Sequence, residues 1–130
     1  MAGPETPKLM VDVVIPSEAG VVLIRRGGEP FEGQWALPGG FVEVGETVHE
    51  AAVREAAEET GLAVEISRLV GVYSEPDRDP RGHNVSLAFV ARVLGGQMQA
   101  ASDADEVDVR DPDNVRLAFD HRRIIADAIG

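Results

Sequence analysis

The sequence predicts a mixed domain of short strands and two helices, either an α+β arrangement or an α/β/α sandwich with a mixed central sheet. Three observations support this fold class: β-branched runs closed by Gly or Pro, an alanine-rich segment with helix signals at both ends, and an amphipathic segment near the C-terminus. No internal repeat or low-complexity linker divides the 130 residues. We therefore expect a single domain over residues 1–130.

Four runs have the composition of strands. They are KLMVDVVIP (8–16), GVVLIRRG (20–27), AVEISRLVGVYSE (63–75) and NVSLAFVARVLGG (84–96). Gly- and Pro-containing segments separate them, including an irregular loop before residue 40 and the polar loop PDRDPRGH at 76–83. The acidic segment SDADEVDVRDPDN at 102–114 is expected to form another loop.

The most clearly marked element is a helix from about Val48 to Thr60. Thr47 followed three residues later by Glu50 forms a capping box, Gly61 suits the position just past the end, and the intervening residues are rich in alanine. A second helix is expected in LAFDHRRIIADAI, residues 117–129, where Leu117, Ile124, Ile125 and Ile129 recur at amphipathic spacing.

Composition excludes several classes of function. A formal charge of -11 and only 12 scattered Lys and Arg residues argue against a nucleic-acid partner. No apolar run approaches the ~20 residues that span a membrane, so no membrane partner and a cytoplasmic location are expected. The absence of cysteine rules out disulfides, thiolate metal sites and a Cys nucleophile. A phosphate-bearing ligand would need a cation as intermediary.

Three glutamates in the first helix suggest such a cation site. Glu55, Glu58 and Glu59 are spaced i, i+3 and i+4, which places their carboxylates on one helix face where they repel one another unless a cation intervenes. Clustered carboxylates suit Mg²⁺, Mn²⁺ or Ca²⁺. The Gly39-Gly40 turn could bring a backbone carbonyl to the same ion. Metal-assisted attack of water on a phosphate is the chemistry that this pattern favours.

The glutamate segment also resembles a known family motif. From residue 40 to 62 its spaced residues are Gly40, Glu46, Arg54, Glu55, Glu58, Glu59, Gly61 and Leu62, with Ala56 at an apolar position. This pattern resembles the Nudix box. The resemblance implies the Nudix fold and a hydrolase of diphosphates linked to a nucleoside.

The resemblance also implies roles for the residues of the box. Glu55, Glu58 and Glu59, together with the Gly39 carbonyl, would bind the activating Mg²⁺, for which Mn²⁺ is an alternative. Glu46 and Arg54 would brace the loop and helix. Gly40 and Gly61 would be structural, and Gly40 would also adjoin the substrate.

Outside the box, the chain is similar to the ADP-ribose pyrophosphatase branch. Pro76 lies about fifteen residues past the box, as in that branch, and LAFDHRRII is a further likeness. In this branch a carboxylate beyond the box often serves as general base. Glu106 is the preferred candidate, Asp105 the next, and Asp103 and Asp108 are alternatives. Relatives in this branch commonly pair, so a homodimer is compatible with the resemblance.

Several basic residues remain ambiguous. Arg25 and Arg26 end a strand beside the expected site, where they could bind a phosphate or could be surface cations. Arg81 and Arg78 carry the same ambiguity, with the resemblance favouring substrate contact. The histidines show no ligand spacing to one another and are expected to be structural or exposed.

The resulting hypothesis is Mg²⁺-dependent cleavage of ADP-ribose, or a related nucleoside diphosphate derivative, into AMP and a sugar phosphate. One alternative is a nucleoside triphosphate pyrophosphohydrolase, including one for oxidised nucleotides. A second alternative, from another class, is a non-catalytic sensor that binds ADP-ribose.

Overall fold

The strands form two sheets of four strands each. The computed structural model describes residues 3–101 and 104–129. In the first sheet, β1 (Lys8–Val14) pairs in parallel with β7 (Asn84–Gly96) and antiparallel with β5 (Gly39–Phe41), while β6 (Leu62–Tyr73) pairs antiparallel with β7. In the second, β3 (Gly20–Arg26) is central and pairs with β2 (Pro16–Ser17), β4 (Trp35–Ala36) and β8 (Ala104–Arg110).

The strand β8 corrects the expectation of an acidic loop over 102–114. Within it, Val107 and Val109 alternate with Glu106 and Asp108, and the valines pack against the core that the first helix covers. This is the period-2 pattern of a half-buried strand. The high proportion of acidic residues obscured that pattern.

The two helices lie on opposite sides of the strands. α1 (Val48–Thr60) contributes Ala51, Ala52 and Ala56 to one core, with Val22 and Phe89. α2 (His121–Ile129) contributes Ile124, Ile125 and Ala128 to a second core, with residues such as Val21, Leu23 and Ala88. Because neighbouring residues of β3 and β7 point to opposite cores, the strands form the middle layer. The predicted α/β/α sandwich with a mixed sheet is confirmed.

The ends of α1 lie where the sequence predicted. The Thr47 hydroxyl accepts the Glu50 N–H and the Glu50 carboxylate accepts the Thr47 N–H, which completes the capping box. Gly61 ends the helix at φ 78°, a conformation that glycine adopts without strain. α2 begins later than expected, at His121, and Leu117 instead bridges to Trp35.

None of the helices in the described parts of the chain has both the length and the apolar character that crossing a bilayer requires.

Candidate active site

The glutamates of helix α1 lie beside Gly39 and Gly40 at the start of β5. The small residues Ala51, Ala52 and Ala56 bury the inner face of α1 and allow the helix to approach the sheet closely. The two glycines do not form the turn that the sequence predicted; they lie in strand β5, which pairs antiparallel with β1. This packing brings the second half of α1 to the edge of β5.

Two of the three glutamates directly contact the glycines of β5. The Glu59 carboxylate accepts a hydrogen bond from the Gly39 N–H at 3.3 Å. A Cβ on Gly40 would lie 2.6 Å from the Glu55 carboxylate carbon, closer than real Cβ contacts. The Glu55 carboxylate occupies the space that a side chain at position 40 would need, so any larger residue there would displace this carboxylate.

Arg54 ties the loop before α1 to the glutamates. Its guanidinium donates Nε and Nη2 to the two oxygens of Glu46, at 2.9 and 2.7 Å, and Nη2 also donates to the Phe41 carbonyl. Its Nη1 reaches Glu55 at 2.8 Å and Glu58 at 3.2 Å. The fork geometry of arginine makes the paired contact to Glu46 possible. The pairing that the sequence analysis expected is present.

The Glu46–Arg54 pair predicts a specific loss of stability in acid. The hydrogen bond from Arg54 lowers the pKa of Glu46 from 4.5 to about 2. A lowered pKa stabilises the fold fully above about pH 4.5, and that stabilisation disappears as the pH falls towards about 2. We expect wild type to exceed Glu46→Gln in melting temperature at pH 6, and the gap to narrow between pH 4.5 and 2. Thermal unfolding across this range measures the gap.

A matched control for this prediction is Glu65→Gln, because Glu65 pairs with Arg92 on the exposed surface of β6 and β7. A gap between wild type and Glu46→Gln that stays constant from neutral to acid pH would contradict the prediction.

The environment of Glu55 disfavours its charge. Burial raises the pKa of Glu55 and the nearby charge of Glu58 adds to the increase, although hydrogen bonds with Arg54 and Glu59 oppose it. A half-buried carboxylate beside a second carboxylate is an environment that a bound cation would relieve.

The oxygen atoms near Gly39 and Gly40 suit the coordination of a hard divalent cation. Carboxylates of Glu55 and Glu59, the exposed carboxylate of Glu58 and the Gly39 carbonyl are all oxygen ligands. Within residues 3–101 and 104–129, no three acidic, His or Cys side chains already converge as a metal would require. Instead, Arg54 contacts both Glu55 and Glu58. A cation would therefore compete with Arg54 for these two carboxylates.

Two adjoining cavities, together called the cleft, open beside Gly39 and Glu59, and two arginines line both of them. Arg26, at the end of β3, and Arg81, from the loop after β6, share the cleft with Gly39 and Glu59. Both guanidiniums lie over the ring of Phe119, at 5.1 and 5.5 Å from its centroid. The remaining lining residues include Met10, Asp12, Ile24, Gly40, Phe41, Arg78, Asp79 and His121.

Glu106 does not lie in this cleft. It pairs with Arg25 across β3 and β8, at 4.0 Å, and lines a separate cavity with that residue. The reason is strand alternation: Val107 faces α1, so Glu106 faces the opposite side of the sheet. The structure thus corrects the expectation that Glu106 adjoins the glutamates. Of the two alternatives left open for Arg25, its place beside Glu106 on the far face matches a surface cation.

Other sequence candidates have varied positions. Asp108 shares the far face and accepts the N–H of Val109. Asp105 is exposed at an irregularity in the pairing of β8, and Pro76 is exposed in its loop and absent from the residues lining the cleft. Asp103 lies outside the described residues. The roles of general base and substrate contact for these residues stay predictions.

The floor of the cleft is a buried polar network. Asp12 is its centre: one carboxylate oxygen lies 3.3 Å from His121 Nε2, and the other accepts the Ser86 hydroxyl at 2.5 Å and lies 3.6 Å from Arg78. Arg78 also makes a two-pronged contact with Asp120, at 2.9 and 2.7 Å. Burial alone would raise the pKa of Asp12, but the interactions with its three partners outweigh it and leave that pKa lowered.

Comparison with known proteins agrees with this geometry. A model of the NUDIX domain matches residues 6–128. The chain belongs to the Nudix family. As a Nudix hydrolase, it carries the family box on β5 and α1, where Glu55 and Glu59 lie against Gly40 and Gly39.

Individual Nudix relatives cover most of the chain. An ADP-ribose pyrophosphatase of Methanocaldococcus jannaschii is 52% identical over 93% of this chain and 72% of its own length. The NUDIX domain of Shewanella oneidensis NrtR, solved with ADP ribose, has a TM-score of 0.81 and 27% identity, covering 95% of this chain and 87% of that one.

A third Nudix relative carries a metal in its structure. A bifunctional NMN adenylyltransferase/ADP ribose pyrophosphatase from Francisella tularensis was solved with AMP and a Mn ion, and it has a TM-score of 0.81 at 27% identity. It matches 96% of this chain but only 42% of its own.

Sequence reasoning missed the residues of this Nudix hydrolase that come together from distant segments. Asp12 sits in an apolar run, and Phe119 was not singled out as a contact. A usable signal was the charged residue inside the strand KLMVDVVIP, because a buried carboxylate requires partners.

Proposed function

We propose that this Nudix hydrolase cleaves the diphosphate of ADP-ribose, giving AMP and a phosphorylated sugar, with Mg²⁺ as activating ion and Mn²⁺ as an alternative. One observation supports the proposal most strongly: the same cleft is lined by Glu59, by Gly39 of β5, and by Arg26 and Arg81. A carboxylate and two guanidiniums lining the same cleft suit a metal-bound ligand with two linked phosphates. The 52% identical ADP-ribose pyrophosphatase supports this choice of substrate.

The side chains divide the work of binding. Arg26 and Arg81 would hold phosphate oxygens within the cleft. The Glu59 carboxylate accepts the Gly39 N–H and so orients the backbone of β5. Arg54 donates a hydrogen bond to Glu55, whose carboxylate packs against Gly40. This pre-organisation aligns substrate and water before reaction.

The bound ion would be held by Glu55, Glu58, Glu59 and the Gly39 carbonyl, and it would supply Lewis-acid polarisation of a phosphate and activation of water. Water adds its oxygen to one phosphorus atom, the bridging oxygen leaves with the other phosphate, and a carboxylate takes the proton. The identity of the base that takes this proton stays a prediction: Glu106 and Asp108 lie on the far face of the sheet, and Asp105 is exposed near the start of β8. A homodimer and a cytoplasmic setting also stay predictions.

A substrate panel tests the proposal. Release of AMP or pyrophosphate would be measured from ADP-ribose, NADH, diadenosine polyphosphates, nucleotide sugars and nucleoside triphosphates, each with Mg²⁺, with Mn²⁺ and with chelator. We expect metal-dependent release of AMP, with the highest kcat/KM on ADP-ribose. A preference for triphosphates would replace the proposal with pyrophosphohydrolase activity. Tight binding of ADP-ribose without turnover would replace it with a sensor.

A further inference from the structure

The segment that carries the Gly39 carbonyl is held by a side chain far away in sequence. The Leu37 N–H donates to His121 Nδ1 at 3.0 Å, and this bond joins residues 84 positions apart in a buried setting. Pro38 has no N–H, and its carbonyl accepts from Val13 at 2.8 Å. The Leu37 N–H is therefore the last backbone donor before Gly39, and its hydrogen bond to His121 holds this part of the backbone.

His121 uses both of its ring nitrogens. Because Nδ1 accepts the Leu37 N–H, the ring proton is on Nε2, which lies 3.3 Å from Asp12 Oδ1. The side chains of His121 and Asp12 are only 5% and 6% exposed. Water therefore has little access to replace either contact.

Asp12 in turn forms the wall behind Gly39. A Cβ added to Gly39 would lie 2.7 Å from Asp12 Oδ1 and 2.2 Å from the Val11 carbonyl, so the backbone already packs against this carboxylate as closely as a glycine allows. The Ser86 hydroxyl and the Arg78 guanidinium hold the other carboxylate oxygen. Any movement of Asp12 would change the space available to Gly39.

We propose that His121 is a positioning residue for the metal site: through the Leu37 N–H and the Asp12 carboxylate, it sets the location of the Gly39 carbonyl. The inference rests on the proposed function, in which that carbonyl is a ligand. Residues outside the ligand set commonly tune metal affinity by orienting the ligands, with effects of about 10–100-fold. The first residue of α2 would thus influence a bound ion without being one of its ligands.

Two substitutions at His121 separate its two contacts. In His121→Asn, the amide oxygen can take the place of Nδ1 and accept the Leu37 N–H, while the contact with Asp12 is lost. In His121→Gln, the amide nitrogen can take the place of Nε2 and donate to Asp12, while the Leu37 N–H loses its acceptor. The variants are matched in polarity and differ in which contact they keep.

The test is Mn²⁺ binding to the full chain, followed by electron paramagnetic resonance of the free ion, alongside kcat, KM and melting temperature. We expect His121→Gln to bind Mn²⁺ about 10–100-fold more weakly than wild type, with the loss in kcat exceeding the change in KM. His121→Asn should lie between the two. A role confined to folding would lower both melting temperatures and leave the Mn²⁺ affinity of the folded protein unchanged, which would overturn the proposal.

Ser86→Ala provides a second variant should the His121 variants fail to fold. It removes the 2.5 Å bond to Asp12 and leaves His121 in place, so we expect weaker Mn²⁺ binding in the same direction. Unchanged affinity in Ser86→Ala would overturn the inference. If wild type binds Mn²⁺ and hydrolyses ADP-ribose while every variant binds equally well, only the positioning role fails. If wild type binds no Mn²⁺, the proposed function fails with it.

Discussion

Glu55→Gln is expected to lower kcat/KM for ADP-ribose by about 10²-fold or more while leaving the fold as stable as wild type or slightly more stable. Glutamine keeps the shape and can still accept a hydrogen bond from Arg54, but it removes the negative charge that would hold the ion. A bound metal supplies several kcal/mol of stabilisation to the transition state, and each 1.4 kcal/mol is about tenfold in rate. Stability should not fall because burial already disfavours the charge of Glu55.

Turnover of ADP-ribose, Mn²⁺ affinity and melting temperature would be measured for Glu55→Gln beside Glu65→Gln. The control removes an equal charge from an exposed pair with Arg92, remote from the cleft. Full activity in Glu55→Gln would show that the half-buried carboxylate is not a metal ligand. A large loss of melting temperature would show that its charge stabilises the fold.

Alanine substitutions at the two glycines of β5 are expected to have different effects. In Gly40→Ala the new Cβ would meet the Glu55 carboxylate at 2.6 Å, and because this is the end of a flexible side chain it can move aside. Activity should fall with little change in stability. In Gly39→Ala the Cβ would lie 2.2 Å from the Val11 carbonyl, which belongs to β1 and cannot move independently. Stability should fall by about 1–3 kcal/mol or more, as overpacked sites do.

Denaturant unfolding and Mn²⁺ binding distinguish the two glycine variants. Gly95→Ala is the control, since its Cβ would meet nothing within 4 Å. Equal losses of stability in Gly39→Ala and Gly40→Ala would contradict the distinction between backbone and side-chain obstruction. Wild-type activity in Gly40→Ala would contradict the placement of Glu55 as a ligand.

Local signals in the sequence correctly predicted α1, its two ends and the placement of its glutamates within the helix. The capping box, the final glycine and the alanines each act within a few residues, so their effect does not depend on the rest of the fold. The bond between Arg54 and Glu46 also lies within this segment, eight residues apart. The same short range explains why the two helices were found, and also the four predicted strands, which correspond to β1, β3, β6 and β7.

Two predictions about the acidic segment were wrong: that it forms a loop, and that Glu106 lies near the glutamates of α1. Acidic composition indicated a loop, but Val107 and Val109 had enough apolar surface to pair with β3 and cover one core. Once that strand forms, alternation decides that Glu106 faces Arg25 instead of the cleft. A carboxylate can be counted in the sequence, but its side of a sheet depends on which strand it pairs with.

Residues 40 to 62 specify the helix, its ends and a row of carboxylates through local interactions, because hydrogen bonds and side-chain spacing within a helix span only three or four residues. The cleft required folding. Arg26, Arg81 and Phe119 meet there from three separate segments, and Asp12 joins Ser86, Arg78 and His121 across as many as 109 positions. Such contacts follow from strand order and buried packing, and local periodicity contains no information about either.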